Sequence, residues 1–566
     1  MKKFLAALTV AVLSLFCLTA CSTSGLQSGS SINIALGEGF NSINADNATL
    51  DASLAVNRQI ADLLDPSFFY VDASGSLIPN TTFGSVKVIS KYPYVVRYSL
   101  TGTAKWSDGQ QLTASDLLLS WLAGKNPLDS GFNSNRAGTG LQWATSIPQR
   151  SADNLSLTVS YDHPVSDYRT ALTISAAAHV VAEKAFALSD AAAALDRFNT
   201  AVSGAVLEDQ KLIAAQYSQI YLEKNLQDAA AKIGAGAYLI DSYGNELKLK
   251  ANSAFSWGPA VRIEKVNLGF YPDAPSALAA MHAGEVDIVA PQESGIATIA
   301  NLSALAKSSG AAVLVGAGHQ IESLLLNFRS GSVFADAKNA TLRSAFLKLV
   351  PIAKILTAMS ADSAALEVKS WIYANTSAYY APFVQSNGSA AYAIQNAEQA
   401  QELLKSSGVR TPITVRVLYD SDNPRAKQEF ALLGQYAKQV GFDLVDVSNS
   451  QPRLVYSTGE FDVYLTAVNL AGEVVGDPYW FTGSSVTGFK DDAVTAILNA
   501  FSTGSEEIDQ VASLTKLDAQ LYKSQFGLPL YQVPQMLVHA KRVTAIIPSP
   551  IGSSATYGYW NWSVSK

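Results

Sequence analysis

Cysteine is nearly absent from this chain: 566 residues hold two, Cys17 and Cys21, both close to the N-terminus. A body of this size therefore closes without a disulfide framework, and a cysteine-based metal site within it is excluded. Histidine is scarce too. His163, His179, His282, His319 and His539 are dispersed, with no pair at the helical or hairpin spacing of metal ligands, so neither a metal nor another cofactor is expected. Positive charge is in deficit, 40 Lys and Arg against 47 Asp and Glu for a net charge of −7, which argues against nucleic acid as a partner. No apolar run beyond Cys21 is long enough to span a membrane. Catalytic motifs are missing as well. Gly234-Ala235-Gly236-Ala237-Tyr238 lacks the third glycine of a dinucleotide fingerprint and reads as a tight turn, and no serine or aspartate stands in the context of an activated nucleophile. A surface hydrolase or sensor is thus the lesser hypothesis, behind a binding protein.

What the N-terminus does contain is a short secretory leader. Lys2 and Lys3 supply a basic start, Phe4 to Phe16 an apolar stretch, and Leu18-Thr19-Ala20 lead up to Cys21. This layout reads as a lipoprotein signal over residues 1–20, with Cys21 as the lipidated residue and residues 21–30 as a small, polar tether. Removing Lys2 and Lys3 with the leader takes the net charge from −7 to −9. The folded body is expected on the extracytoplasmic face of the cell membrane, held there by lipid.

Along the body, strand and helix signals alternate. Ser31 to Leu36 reads as a strand ended by Gly37-Glu38-Gly39, and Tyr94 to Leu100 as a strand with Tyr94, Val96, Tyr98 and Leu100 on one face. Thr113 and Asp116 stand at capping-box spacing before a helix carrying Leu117 to Trp121. The alanine-rich stretch 182–232 fits surface helices. Strand, helix, strand then recurs twice. Its first instance runs from Val261 to Phe270, Pro275 to His282 and Val286 to Ile288. Its second runs from Ile413 to Leu418, through a helix opening at Asn423-Pro424, to Phe442–Val445. This order predicts α/β lobes with mainly parallel sheets.

The run Tyr94 to Trp121, with Lys105-Trp106-Ser107-Asp108-Gly109, Leu112-Thr113-Ala114 and Asp116, resembles a signature of the extracellular solute-binding proteins of family 5, the peptide- and nickel-type receptors of ABC transporters. Further landmarks follow in the family's order: Gly234 to Tyr238, Ala283 to Ile288, Leu326-Asn327, Leu342 to Phe346, Phe461 to Leu465, Gly476-Asp477-Pro478 and Leu528 to Tyr531. Residues 68 to 84 look similar to an actinobacterial branch. The resemblance implies an α/β, two-lobed periplasmic-binding-protein-like fold (type II, cluster C) with an extra subdomain in the first lobe. It divides the chain into lobe I (31–67, 226–318 and 530–566), the extra subdomain (68–225) and lobe II (319–529). It further implies a monomer that captures an oligopeptide or another small polar solute between its lobes and delivers it to a permease driven by ATPase subunits. A nickel chelate or other non-peptide solute is the alternative cargo.

The expected ligand-binding residues are Phe40, Asn41, Asn327, Asn469, Glu473, Asp477, Tyr479, Trp480, Tyr531 and Gln532. Phe40 and Asn41 follow the first strand, where open α/β sheets place ligands, although plain loop structure accounts for them as well. In the family's oligopeptide and dipeptide receptors a carboxylate three residues before an acidic-Pro pair neutralises the peptide ammonium. Counting back from Asp477 gives Val474, so that acid is missing, and Glu473 next to it takes the role if the loop is shifted. A tryptophan usual before that loop is replaced by Asn469-Leu470-Ala471. Asp477-Pro478 also serves as a turn, and Tyr479, Trp480 and Phe481 either line the pocket or pack the core. Asn327, Tyr531 and Gln532 sit where the chain should cross between lobes, as hinge or cleft lining.

Overall fold

A computed structural model describes residues 25–565 apart from 48–50, 74, 127–129, 135–139, 166, 292–295, 360–365, 473–477, 482–485 and 505–506. The leader and Cys21 lie outside the described residues. The first strand begins at Gln27 and runs to Gly37, so the tether expected over 21–30 ends at Leu26: Ser28, Gly29 and Ser30 are already in the sheet, where Gly29 N–H donates to Glu264 Oε2.

The local signals act as their chemistry demands. Thr113 caps the helix Ala114–Lys125 through Ser115 N–H, while Asp116 Oδ2 accepts from Thr113 N–H at 2.8 Å, a complete capping box. Asn423 caps the helix Pro424–Val440, with proline at its first position, where the missing N–H is not needed. Trp106 to Gly109 forms a tight turn: Gly109, at φ +93°, donates its N–H to Trp106 O. The run from Trp106 to Gly109 is therefore structural.

A single ten-stranded sheet runs through the whole molecule. From one edge, its strands are Phe442–Asp446, Ile413–Leu418, Val463–Asn469, Ala312–Leu326, Gly527–His539, Ile288–Val289, Gln27–Gly37, Ile263–Tyr271, Glu246–Ala251 and Tyr238–Tyr243. Parallel pairs join Gln27–Gly37 to its two neighbours and Ile413–Leu418 to its two. The remaining pairs are antiparallel, so the mainly parallel sheets expected from strand-helix alternation give way to one mixed sheet. The cause is the two long strands Ala312–Leu326 and Gly527–His539, which pair antiparallel and pass from one lobe to the other.

Two large apolar cores lie on either side of that passage. Ile321, Leu324, Leu325 and Leu326 on one crossing strand and Leu528, Leu530 and Tyr531 on the other belong to the second core, whereas Met536, Leu537 and Val538 pack into the cores of the first lobe. Leu530 and Tyr531, expected at the start of the return to lobe I, are thus second-lobe residues. Antiparallel strands Gly84–Lys91, Tyr94–Leu100, Ser156–Tyr161 and Gln149–Arg150, with the helices Ala114–Lys125, Ala178–Phe186, Ala191–Ser203 and Leu207–Gln219, build the subdomain, and its side chains merge with those of Ile32, Ile34, Leu247 and Val266 in one continuous core. Asn80 fastens it further, donating to Ser67 O and to Trp257 O at 3.0 Å.

The crossing strands approach closely at Gly527, where an added Cβ would run into the carbonyl oxygen of Leu324, while one on Gly316 of the partner strand would meet nothing within 4 Å. Gly527→Ala is therefore expected to destabilise the protein by about 1–3 kcal/mol, and Gly316→Ala to leave the denaturant midpoint within error. Equal midpoints for the two variants would contradict this packing.

Candidate functional site

The ladder between the crossing strands is interrupted from Ala317 to Ile321, opposite Pro534 and Gln532. Proline has no N–H to give, so the ladder cannot continue there unaided. Gln532 fills the gap with its side chain: Nε2 donates to Gly318 O at 2.8 Å and Oε1 accepts the Asn375 N–H at 3.0 Å. Gly318, His319 and Gln320 together with Val533, Pro534 and Gln535 thereby lie between the two cores, where a candidate interlobe site would have its floor.

Each wall is built from the ends of strands. On the second-lobe side, the strand Val463–Asn469 ends at exposed Asn469, whose Oδ1 accepts from Gln320 Nε2 at 3.2 Å. The chain then turns back: Leu470 N–H donates to His319 O, Ala471 N–H to Trp371 O, and Gly472 N–H to Ile372 O at 2.8 Å. Gly472 has no room for a side chain, because a Cβ would stand 2.6 Å from both Ile372 and Tyr373. Tyr373 packs edge-on against Phe383, which braces this wall. On the first-lobe side, Glu38 and Gly39 are exposed at the end of the first strand. The C-terminal segment lies over the floor: Gln535 Nε2 donates to Ser549 O at 2.7 Å, and Gly552, at φ +140°, sits so near His319 that a Cβ would be 3.0 Å from the imidazole Cε1.

Burial pushes the His319 imidazole down to about 4, so it is neutral at pH 7. Gln535 Oε1 is buried without a hydrogen-bond partner among the described residues. The residues gathered here, His319, Gln320, Asn469, Asn375, Gln535 and the serines of 549–554, are polar, neutral and rich in amides. Among the described residues, no three His, Cys, Asp or Glu come together as metal ligands.

Residues 89–491 match the model of the bacterial extracellular solute-binding proteins, family 5 (middle part). The chain belongs to this family. It is similar to an uncharacterized lipoprotein of Mycobacterium tuberculosis, 22% identical over 550 residues that cover 92% of this chain and 91% of the relative. Among solved structures it is similar to a periplasmic EDTA-binding protein, EppA, with a TM-score of 0.78, 19% identity and coverage of 96% of this chain and 98% of that one. The oligopeptide-binding protein AppA from Bacillus subtilis, in complex with a nonapeptide, superimposes with a TM-score of 0.66, 14% identity and coverage of 95% and 99%. These likenesses agree with a two-lobed fold of a substrate-binding transport family.

The residues expected to bind ligand are redistributed by this family 5 fold. Asn469 is exposed at the end of its strand, beside Gln320. Asn327 is fully buried in the second lobe, its Nδ2 donating to Phe461 O and Gly459 O and its Oδ1 accepting from Arg329 N–H, so it is a structural clamp. Tyr531 is equally enclosed, its hydroxyl held by Glu429. Burial, with Glu322 nearby, holds the Glu429 carboxyl well above the usual carboxylate range. Gln532 spans the interrupted ladder, with both ends of its amide in use. Phe40 stacks on Phe270 at 5.2 Å and edges Tyr243, and Asn41 exchanges hydrogen bonds with Asn57, so both hold the first-lobe loop together. Trp480 is half-buried against Phe481 and Phe526. Glu473, Asp477 and the side chain of Tyr479 lie outside the described residues. His319, Gln320 and Gln535 were passed over, because a lone histidine and scattered glutamines carry no motif.

The depressed His319 value has a definite sign. The unfolded imidazole takes up a proton near 6.5 but the folded one only near 4, so stability present above pH 6.5 is lost as pH falls between these values. His319→Gln should flatten the fall in denaturant midpoint from pH 7 to pH 4.5; an unchanged slope would assign that fall to other groups.

Proposed function

We propose that the mature protein, anchored through lipid on Cys21, captures a short peptide between its lobes and delivers it as a monomer to a membrane permease driven by ATP hydrolysis in partner subunits, without itself catalysing a reaction. The observation that carries the peptide reading is the neutral, amide-rich character of the cleft floor. Peptide main chain presents alternating N–H and C=O groups, and the amide oxygen of Gln535, buried without a partner among the described residues, suits a main-chain N–H without demanding a side-chain type. Closure of two bodies on a shared hinge then removes the ligand from water. An anionic metal chelate is the second reading, favoured by the similarity to an EDTA-binding protein. Against it, none of the cleft residues named above carries positive charge at neutral pH.

Native mass spectrometry of the freshly purified mature protein tests the cargo. Mixed short peptides carried through purification, and a melting temperature that rises with added peptide as mass action requires, are the expected results. A retained chelate, or no thermal response to saturating peptide, would remove the peptide reading.

Glu473 is assigned to the peptide ammonium. Glu473→Gln should then weaken free peptides by roughly tenfold or more while N-acetylated peptides, which lack the charge, bind nearly as before. Equal losses for both would reject that role, leaving the rest of the reading in place.

A further inference from the structure

The first-lobe part of the sheet has one face packed on the large core and another that turns, beyond the helix Ala274–His282, toward solvent. On that outer face the register places Ser31 beside Lys265 and Lys265 beside Lys250, with Lys248 two residues along the same strand. Register partners share a face, and all three lysines are exposed. At the same end of the lobe, Arg542 donates to Ser31 O, with Lys541 exposed beside it, and Arg262 O accepts the N–H of Gln27. Six cations therefore gather around the start of the first strand, on a chain whose net charge is −7. Acids are present too. Lys250 meets Asp241 at 3.4 Å, Lys248 meets Glu246 at 3.8 Å, Arg542 is paired with Asp287, and Glu264 accepts from Gly29. Arg262, Lys265 and Lys541 form no ion pair among the described residues.

What gives this face a partner is its distance from the anchor. Strand pairing starts at Gln27, six residues after Cys21, and six extended residues reach about 20 Å at most. An anchor that short keeps this end of the first lobe near the lipid surface whatever the rest of the molecule does. Leu26, half exposed, lies on the same approach.

We infer that the basic sheet face of Lys248, Lys250 and Lys265, with Arg262, Lys541 and Arg542 at its border, rests on the anionic headgroups of the membrane in which Cys21 is anchored. This rests on the lipid-anchor reading above. Lipid and face then hold the receptor together: the acyl chains fix one point, and the cations fix the orientation about it. Each basic side chain near an anionic surface adds roughly fivefold to partitioning, an effect that decays within about a Debye length of 10 Å and is screened by salt.

The test uses the complete mature chain carrying Cys21→Ser, so that no acyl chain contributes. Sedimentation with vesicles of phosphatidylglycerol mixed with phosphatidylcholine should show binding that vesicles of phosphatidylcholine alone do not, and that 0.5 M salt (about 4 Å screening length) removes. The triple variant Lys248→Gln, Lys250→Gln, Lys265→Gln should lose about a hundredfold in partitioning. Its melting temperature serves as the check on folding, and Lys405→Gln, Lys427→Gln, Lys438→Gln on the second lobe as the check on general charge. Equal binding to both vesicle types overturns the inference, as does undiminished binding of the first-lobe triple variant. Reduced solute uptake in cells with unchanged vesicle binding also overturns it, and would place a permease on this face. Release of the Cys21→Ser chain into the medium reads the anchor separately: retention on the cell would reject lipidation whatever the vesicles show.

Discussion

Everything interlobar in this protein depends on the pairing of Ala312–Leu326 with Gly527–His539. These strands lie at the centre of the ten-stranded sheet, and each contributes apolar side chains to cores on both sides. Interior strands are held on both edges by main-chain hydrogen bonds, so the place to bend is where the ladder fails. It fails between Ala317 and Ile321, opposite a proline, and the Gln532 amide spans that gap. The Gln532 amide holds the two strands together there by side-chain bonds in place of ladder bonds.

The extra subdomain obeys a different constraint. It is sewn to the first lobe by a shared core and by Asn80, whose Nδ2 donates to Trp257 O at 3.0 Å. Ser107 adds a second fastening, its N–H donating to Gly234 O at 2.9 Å and its hydroxyl accepting from Gly234 N–H at 3.3 Å. Motion between subdomain and lobe would open this apolar surface to water, which the hydrophobic effect opposes.

Signals confined to a few residues were legible in the sequence. The capping box at Thr113 and Asp116 and the start of a helix at Asn423-Pro424 depend on neighbours in the chain, and the strands Tyr94–Leu100 and Ile413–Leu418 follow from local alternation. The mixed sheet was hidden, because antiparallel pairing across more than 200 residues leaves no trace in local periodicity. Site residues were harder still. Asn327 and Tyr531 are buried in the second lobe, their polar atoms consumed by Phe461 and Glu429, partners that only the fold brings near. His319 meets Gly552 for the same reason.

The two ends of the chain meet. Gln27 and Val564 exchange hydrogen bonds across 537 residues of sequence, Val564 N–H donating to Gln27 Oε1 at 3.1 Å. The described body is therefore close to a closed loop, with Gln27 and Val564 at one pole. A circular permutant that joined these two residues by a short linker and opened the chain at a distant surface turn would keep the sheet order and move any attachment at the first strand to a new pole.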